Sequence, residues 1–154
     1  MSASLITQCS LPSLAISETF PKMFSLKGKN AIVTGAGSGI GQSTAIAFAK
    51  QGAYVSVLEI NIEAANETVE KIRINGGQAD ASECDVTQHD QVQEVFDKIA
   101  TEHDGLDCLI NNAGIAHVGN ILNTNEKDFD RVINVNLKGV FNCLKSGVRQ
   151  MIKS

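Results

Sequence analysis

Short apolar runs bounded by glycine or polar residues alternate along this chain with stretches in which apolar side chains recur every three or four positions. The runs read as buried strands, and the longer stretches read as amphipathic helices. Asn30-Ala31-Ile32-Val33 is the first strand and Tyr54-Val55-Ser56-Val57-Leu58-Glu59 the second. The third spans about Gln78 to Cys84, and Leu106-Asp107-Cys108-Leu109-Ile110-Asn111 is the fourth. A first helix is expected over about Gly41 to Gln51, stopped by Gly52. A second starts near Asn61 as N-cap, places Ile62, Ala65, Val69 and Ile72 on one side, and ends at Asn75-Gly76-Gly77. A third has Thr87 as its cap and Val92, Val95, Phe96 and Ile99 on one face. A long helical stretch then runs from about Asn125 towards Met151, with Ile133, Leu137, Val140, Phe141, Leu144 and Val148 forming the face expected to pack.

Strands that alternate with helices imply a parallel sheet covered on both faces. Right-handed crossovers then give a doubly wound, Rossmann-type α/β sheet. A length of 154 residues suits one domain, and 43% hydrophobic residues suffice for one core. The net charge of −4 is modest and spread out, which argues against nucleic acid as a partner. No apolar run reaches the length of a transmembrane helix, so no membrane span is expected. Cys9, Cys84, Cys108 and Cys143 are widely separated and read as reduced thiols of a cytoplasmic protein. His89, His103 and His117 form no ligand pattern, so no metal site is expected.

Residues 1–22 differ from the rest: they hold both prolines, Pro12 and Pro21, five serines, and only Glu18 and Lys22 as charged residues. Pro12 splits the apolar residues a secretory signal would need, and the absence of Arg argues against a mitochondrial one. The segment reads as a flexible leader, or as translation begun upstream of a start at Met23. Residues 23–154 carry the alternating strand and helix pattern.

The candidate chemistry gathers at the ends of the strands. Thr34-Gly35-Ala36-Gly37-Ser38-Gly39-Ile40-Gly41 joins the first strand to the first helix. Glycines allow a tight turn and close approach to an anion, and free N–H groups of a first helical turn point at it. Gly35 and Gly37 fit the usual dinucleotide fingerprint, but Ile40 displaces its third glycine. Taken alone, such a loop is more often simply a turn. Glu59 ends the second strand, eighteen residues past Gly41, near the spacing at which an acid accepts hydrogen bonds from the adenosine ribose. A carboxylate there repels a 2′-phosphate, and no Lys or Arg stands at Ser38, Ile60 or Asn61 to offset it. NAD is therefore favoured over NADP. Asp85 ends the third strand and could equally cap the third helix. Asn111-Asn112-Ala113-Gly114 ends the fourth and taken alone reads as a turn.

In order and spacing these segments resemble the short-chain dehydrogenase/reductase family. The matching features are T-G-x-x-x-G-I-G, an acid after strand two, Asp85-Val86 after strand three, N-N-A-G after strand four, and Val135-Asn136-Leu137-Lys138-Gly139. The similarity covers Leu26 to the C-terminus and is to NAD-dependent members, such as those like 3-oxoacyl-(acyl-carrier-protein) reductase and the sugar-alcohol dehydrogenases. It implies a nicotinamide dinucleotide held by Gly35, Ser38, Gly39, Ile40, Gly41 and Glu59, with Asp85 and Val86 by the adenine. Asn112, Ala113 and Gly114 would support the central cofactor region, Asn112 also bracing the strand. Glu59 departs slightly, because Asp is commoner there. Asn136 would be the Asn of the family's catalytic tetrad, supporting a water linked to the catalytic Lys; an Asn bonded to a neighbouring backbone carbonyl is the structural alternative. The family interconverts alcohols and ketones and often assembles into homo-oligomers through its long helices.

The same resemblance calls for a Ser after a fifth strand and a Tyr-x-x-x-Lys on the next helix, so the sheet is expected to be truncated after about four strands and residues 23–154 to be the N-terminal part of a Rossmann dinucleotide-binding domain. The only tyrosine is Tyr54, with Leu58 four residues on, and the sequence stops at Ser154. Two classes of function stand open: an NAD-dependent oxidoreductase represented by its cofactor half and inactive as it stands, or a non-catalytic nucleotide-binding or interaction chain. A structural domain without a ligand is the third.

Overall fold

A computed structural model describes residues 24–153. The segment read as a leader lies outside the described residues. Four strands form one parallel sheet in the order β3-β2-β1-β4: β1 (Asn30–Thr34), β2 (Tyr54–Glu59), β3 (Gln78–Glu83) and β4 (Cys108–Ile110). Helices α1 (Gly39–Lys50), α2 (Ile62–Ile74) and α3 (His89–Glu102) connect them, so the Rossmann-type arrangement expected from the sequence is present. Past β4 come α4 (Glu126–Ile133), a π-helical segment (Asn134–Gly139) and α5 (Val140–Met151). Among the described residues no helix is long and apolar enough to cross a membrane.

The alternation of strand side chains splits the core in two. Ala31, Val33, Val55 and Val57 face α1 and α2, where Ala45, Ala49, Ala65, Val69 and Ile72 are buried with them. Ile32 and Leu58 point the other way, onto Val92, Phe96 and Ile99 of α3 and Cys143 of α5. Each of these larger side chains contributes about 1.5–3 kcal/mol through burial. Residues of one strand thus anchor both layers, which holds the C-terminal strand ends at a fixed height.

Several boundaries differ from expectation. Helix α1 begins two residues earlier, at Gly39, because the glycine loop is tight enough for the helical turn to start at once. Helix α2 is capped as expected, the Asn61 side chain accepting the Ala64 N–H at 3.0 Å. Thr87 does not cap α3: the N-cap is Gln88, without a side-chain bond. Instead the Asp85 carboxylate accepts both the N–H and the hydroxyl of Thr87, at 2.9 and 2.8 Å, closing the turn ahead of the helix. Strand β4 is only three residues long; Leu106 lies outside it yet is buried.

The largest correction concerns the last helical stretch. Its apolar stripe does not pack on the sheet. Leu137, Phe141, Leu144 and Val148 are exposed, while Asn142, Cys143, Ser146, Gly147 and Gln150 are buried. The reason is distance. An added Cβ at Gly147 would fall 2.6 Å from Leu109 Cδ2 and 3.3 Å from Phe96 Cε1, so α5 lies too close for a bulky side chain there.

Candidate functional site

One cleft of about 450 Å³ opens at the C-terminal ends of the strands, the edge where open α/β sheets bind ligands. Its lining includes Gly35, Ser38, Gly39, Ile40, Glu59, Asp85, Val86, Asn112, Ala113 and Gly114. Every binding candidate from the sequence is therefore in one place except Gly41. That residue is buried in α1, where an added Cβ would strike the Gly35 carbonyl and the Asn112 amide; it lets the helix start against the loop.

The loop's shape follows from its residues. Gly35 and Gly39 have φ of +62° and +56°, the left-handed region that costs other residues free energy. A Cβ on Gly35 would also lie 2.6 Å from Ala113 Cα, so this glycine lets two strand ends meet. Ser38 N-caps α1 with extended backbone but no side-chain bond, and the first turn carries no acid. The helix thus brings unclaimed N–H groups and its positive end to the wall lined by Ser38, Gly39 and Ile40.

Thr34, which opens the motif, and two residues not singled out in the sequence, Gln42 and Thr68, hold this loop. The fully buried Thr68 hydroxyl donates to the Ala36 carbonyl at 2.9 Å. The Gln42 amide donates to the Gly37 carbonyl and to Thr68 Oγ1, at 3.1 and 2.8 Å. Thr34 Oγ1 accepts the N–H groups of Asn112 and Ala113, each at 3.1 Å. A threonine in an apolar run looks like an ordinary strand residue, so only the fold reveals this role. Asn112 completes the seam by donating to the carbonyls of Thr34 and Gly35 at 3.1 and 2.9 Å, which braces β1 against β4.

Glu59 folds back on the loop. Its Oε2 accepts the Gly37 N–H at 3.1 Å and its Oε1 the Ile60 N–H at 2.9 Å. Asp85 is engaged in the Thr87 turn described above, and its own N–H donates to Gln91 Oε1 at 3.0 Å. Val86 is held from behind: the buried Asn142 donates to its carbonyl at 2.9 Å, and Gly139 of the π segment lies against its side chain. Asn142 was another residue missed, being one of several polar positions in its helix and not set apart from them by the sequence.

Asn136 does not itself line the cleft but makes two bonds with Ile115, which does. Its Oδ1 accepts the Ile115 N–H and its Nδ2 donates to the Ile115 carbonyl, both at 2.9 Å. It pins the chain just past Gly114 from an exposed position in the π segment, and such segments recur at functional sites. Ile60, Cys84, Ile115 and Val135 also line the cleft. Burial, helped by neighbouring Asp85, pushes the Cys84 thiol up to about 11, so at neutral pH it is not a thiolate nucleophile.

Residues 29–154 match the family model described as short chain dehydrogenase. The chain belongs to the short-chain dehydrogenase family. A curated relative, the 3-oxoacyl-(acyl-carrier-protein) reductase FabG of Thermotoga maritima, is 41% identical over 128 residues, covering 83% of this chain and 52% of the relative. Among solved structures, a hydroxysteroid dehydrogenase from Escherichia coli is 38% identical with a TM-score of 0.79, over 84% of this chain and 55% of that one. An NAD+-bound xylitol dehydrogenase is 34% identical with a TM-score of 0.81, over 84% of this chain and 50% of that one. This short-chain dehydrogenase chain spans about half the length of the curated relatives it matches. The family is one of oxidoreductases that bind nicotinamide dinucleotides.

Proposed function

We propose that the cleft is the adenosine and pyrophosphate site for NAD(H), preferred over NADP(H). In the full-length enzyme this chain would supply the cofactor half for hydride transfer between nicotinamide and a small alcohol or ketone. The observation that carries this reading is the lining itself. An uncapped helix N-terminus faces the cleft from one wall and the Glu59 carboxylate from another, and among the described residues no Lys or Arg lines it.

The residues divide the work as follows. The Gly35–Gly41 loop and the first turn of α1 hold the pyrophosphate, whose charge the helix end complements. Glu59 accepts the ribose hydroxyls and disfavours a 2′-phosphate by like charge. Asp85 and Val86 form the adenine wall. Asn112, Ala113 and Gly114 support the middle of the cofactor, and Asn136 takes the family's tetrad position. When bound, the nicotinamide supplies or accepts the hydride. The proton that must accompany it needs a positioned acid or base, worth about 10²–10⁴-fold in rate. Asn136 is an amide and cannot be that group.

Calorimetric titration with NAD+ and NADP+ tests the reading. Tighter binding of NAD+, with Glu59→Ala weakening NAD+ more than NADP+, is the expected result. Equal or tighter NADP+ binding would overturn the preference.

A further inference from the structure

The glycines of the loop are not glycines for one reason. Gly35 and Gly39 need positive φ, but Gly37 does not: its backbone lies outside the left-handed region and is open to any residue. What Gly37 lacks is room. An added Cβ would fall 2.8 Å from Glu59 Cγ, 3.0 Å from Glu59 Oε2 and 2.8 Å from Ala64 Cβ. Ala64 is fixed on α2, so the loop would have to shift away from it, and Glu59, which ends in a flexible side chain, would be displaced as well.

We infer that Gly37 is a specificity-determining residue, whose missing side chain sets the Glu59 carboxylate in place to choose the adenosine ribose. This rests on the proposed nucleotide reading and adds to it. Glutamate is one methylene longer than aspartate and reaches further from the same strand end. The structure handles that extra length by folding the chain against Gly37. Two backbone N–H groups, of Gly37 and Ile60, each take one carboxylate oxygen, at 3.1 and 2.9 Å. Each oxygen keeps a further acceptor site, and two acceptors side by side suit the two O–H donors of a ribose 2′,3′-diol. A 2′-phosphate has no donor to offer at neutral pH and meets the same carboxylate as like charge. Gly37 thus acts through Glu59 as a positioning residue. It makes the pocket wall by being absent from it.

The test is a double-mutant cycle on the 154-residue chain, with NAD+ and NADP+ Kd values measured for wild type, Gly37→Ala, Glu59→Ala and the double variant. Gly37→Ala should lower the NAD+ to NADP+ affinity ratio by about tenfold, the loss of one hydrogen bond with a charged acceptor, beyond any loss both cofactors share through the pyrophosphate loop. In the Glu59→Ala background, adding Gly37→Ala should have no further effect on the NAD+ to NADP+ ratio. In parallel, the Gly37 amide resonance should move on Glu59→Ala, a readout that needs no cofactor. Equal weakening of both cofactors by Gly37→Ala, in both backgrounds, would overturn the inference and leave the nucleotide site standing. An unmoved Gly37 resonance would overturn it too. If wild type binds neither dinucleotide, the nucleotide reading falls and this inference with it.

Discussion

Helices α2 and α5 both pack on the sheet, yet they obey opposite sequence logic. In α2 the buried residues include Ala65, Val69 and Ile72, and the outward ones are Glu63, Asn66, Glu67, Glu70, Lys71 and Arg73, with Ile74 exposed at the last position. In α5 the buried residues are Asn142, Cys143, Ser146, Gly147 and Gln150, and Phe141, Leu144 and Val148 lie outside. Helix α2 is placed by transfer of apolar surface from water. Helix α5 is placed by close approach and by particular bonds, Asn142 to Val86 and Gln150 to Asp97. Burial of a face is therefore decided by shape and pairing as well as by polarity.

The sharpest way to break this contrast is to enlarge an inward position of α5. Gly147→Val should destabilise the fold by about 1–3 kcal/mol through overpacking against Leu109 and Phe96, measured by urea denaturation. A neutral result would mean that α5 can move outward, and the close-approach account would fail. Asn142→Leu removes a buried bond and leaves the Val86 carbonyl unpaired. It should cost roughly 1–3 kcal/mol and raise hydrogen-exchange rates around Val86. A stabilised variant would show that α5 is governed by polarity after all.

The buried thiols on this side give a pH test. Burial pushes Cys84 up to about 11 and Cys143 up to about 12, above the usual thiol value. A folded-state pKa raised above the unfolded one contributes stability that is complete below the unfolded value and is lost as pH rises through the folded value. Stability should therefore fall from near pH 9 upward, by about 1 kcal/mol per thiol at pH 10, and Cys143→Ala should flatten that slope. A slope unchanged in the variant would exclude the thiol as its source. The smallest effect is expected on the outer side. Phe141→Ser should change stability by less than about 0.5 kcal/mol, while lowering concentration-dependent self-association seen by sedimentation.

The same contrast explains what could be read in advance. Strands β1 and β2 were legible because they are apolar runs with glycine or polar stops, and the glycine loop because its chemistry is local to eight residues. The placement of Glu59, Asp85 and Asn112 at one sheet edge followed from strand order. The apolar stripe of the last helix was also read correctly as a stripe. Its direction was not, because periodicity says which residues share a side and not which side meets the sheet. Thr34, Thr68 and Asn142 escaped for a related reason: each acts through a partner at least 32 residues away, which only the fold brings near.

The seam at Thr34 has a consequence in time. Strand β1 lies inside the sheet, paired with β2 on one side and β4 on the other, but its two neighbours are not made together. Thr34 and its partner Asn112 are 78 residues apart. At roughly 5–20 residues per second of synthesis, that gap lasts about 4–16 s. Through that interval the nascent chain can assemble β1, β2 and β3 with their helices, while the second edge of β1 waits with its backbone groups unpaired. The centre of the finished sheet is, for those seconds, its most vulnerable border.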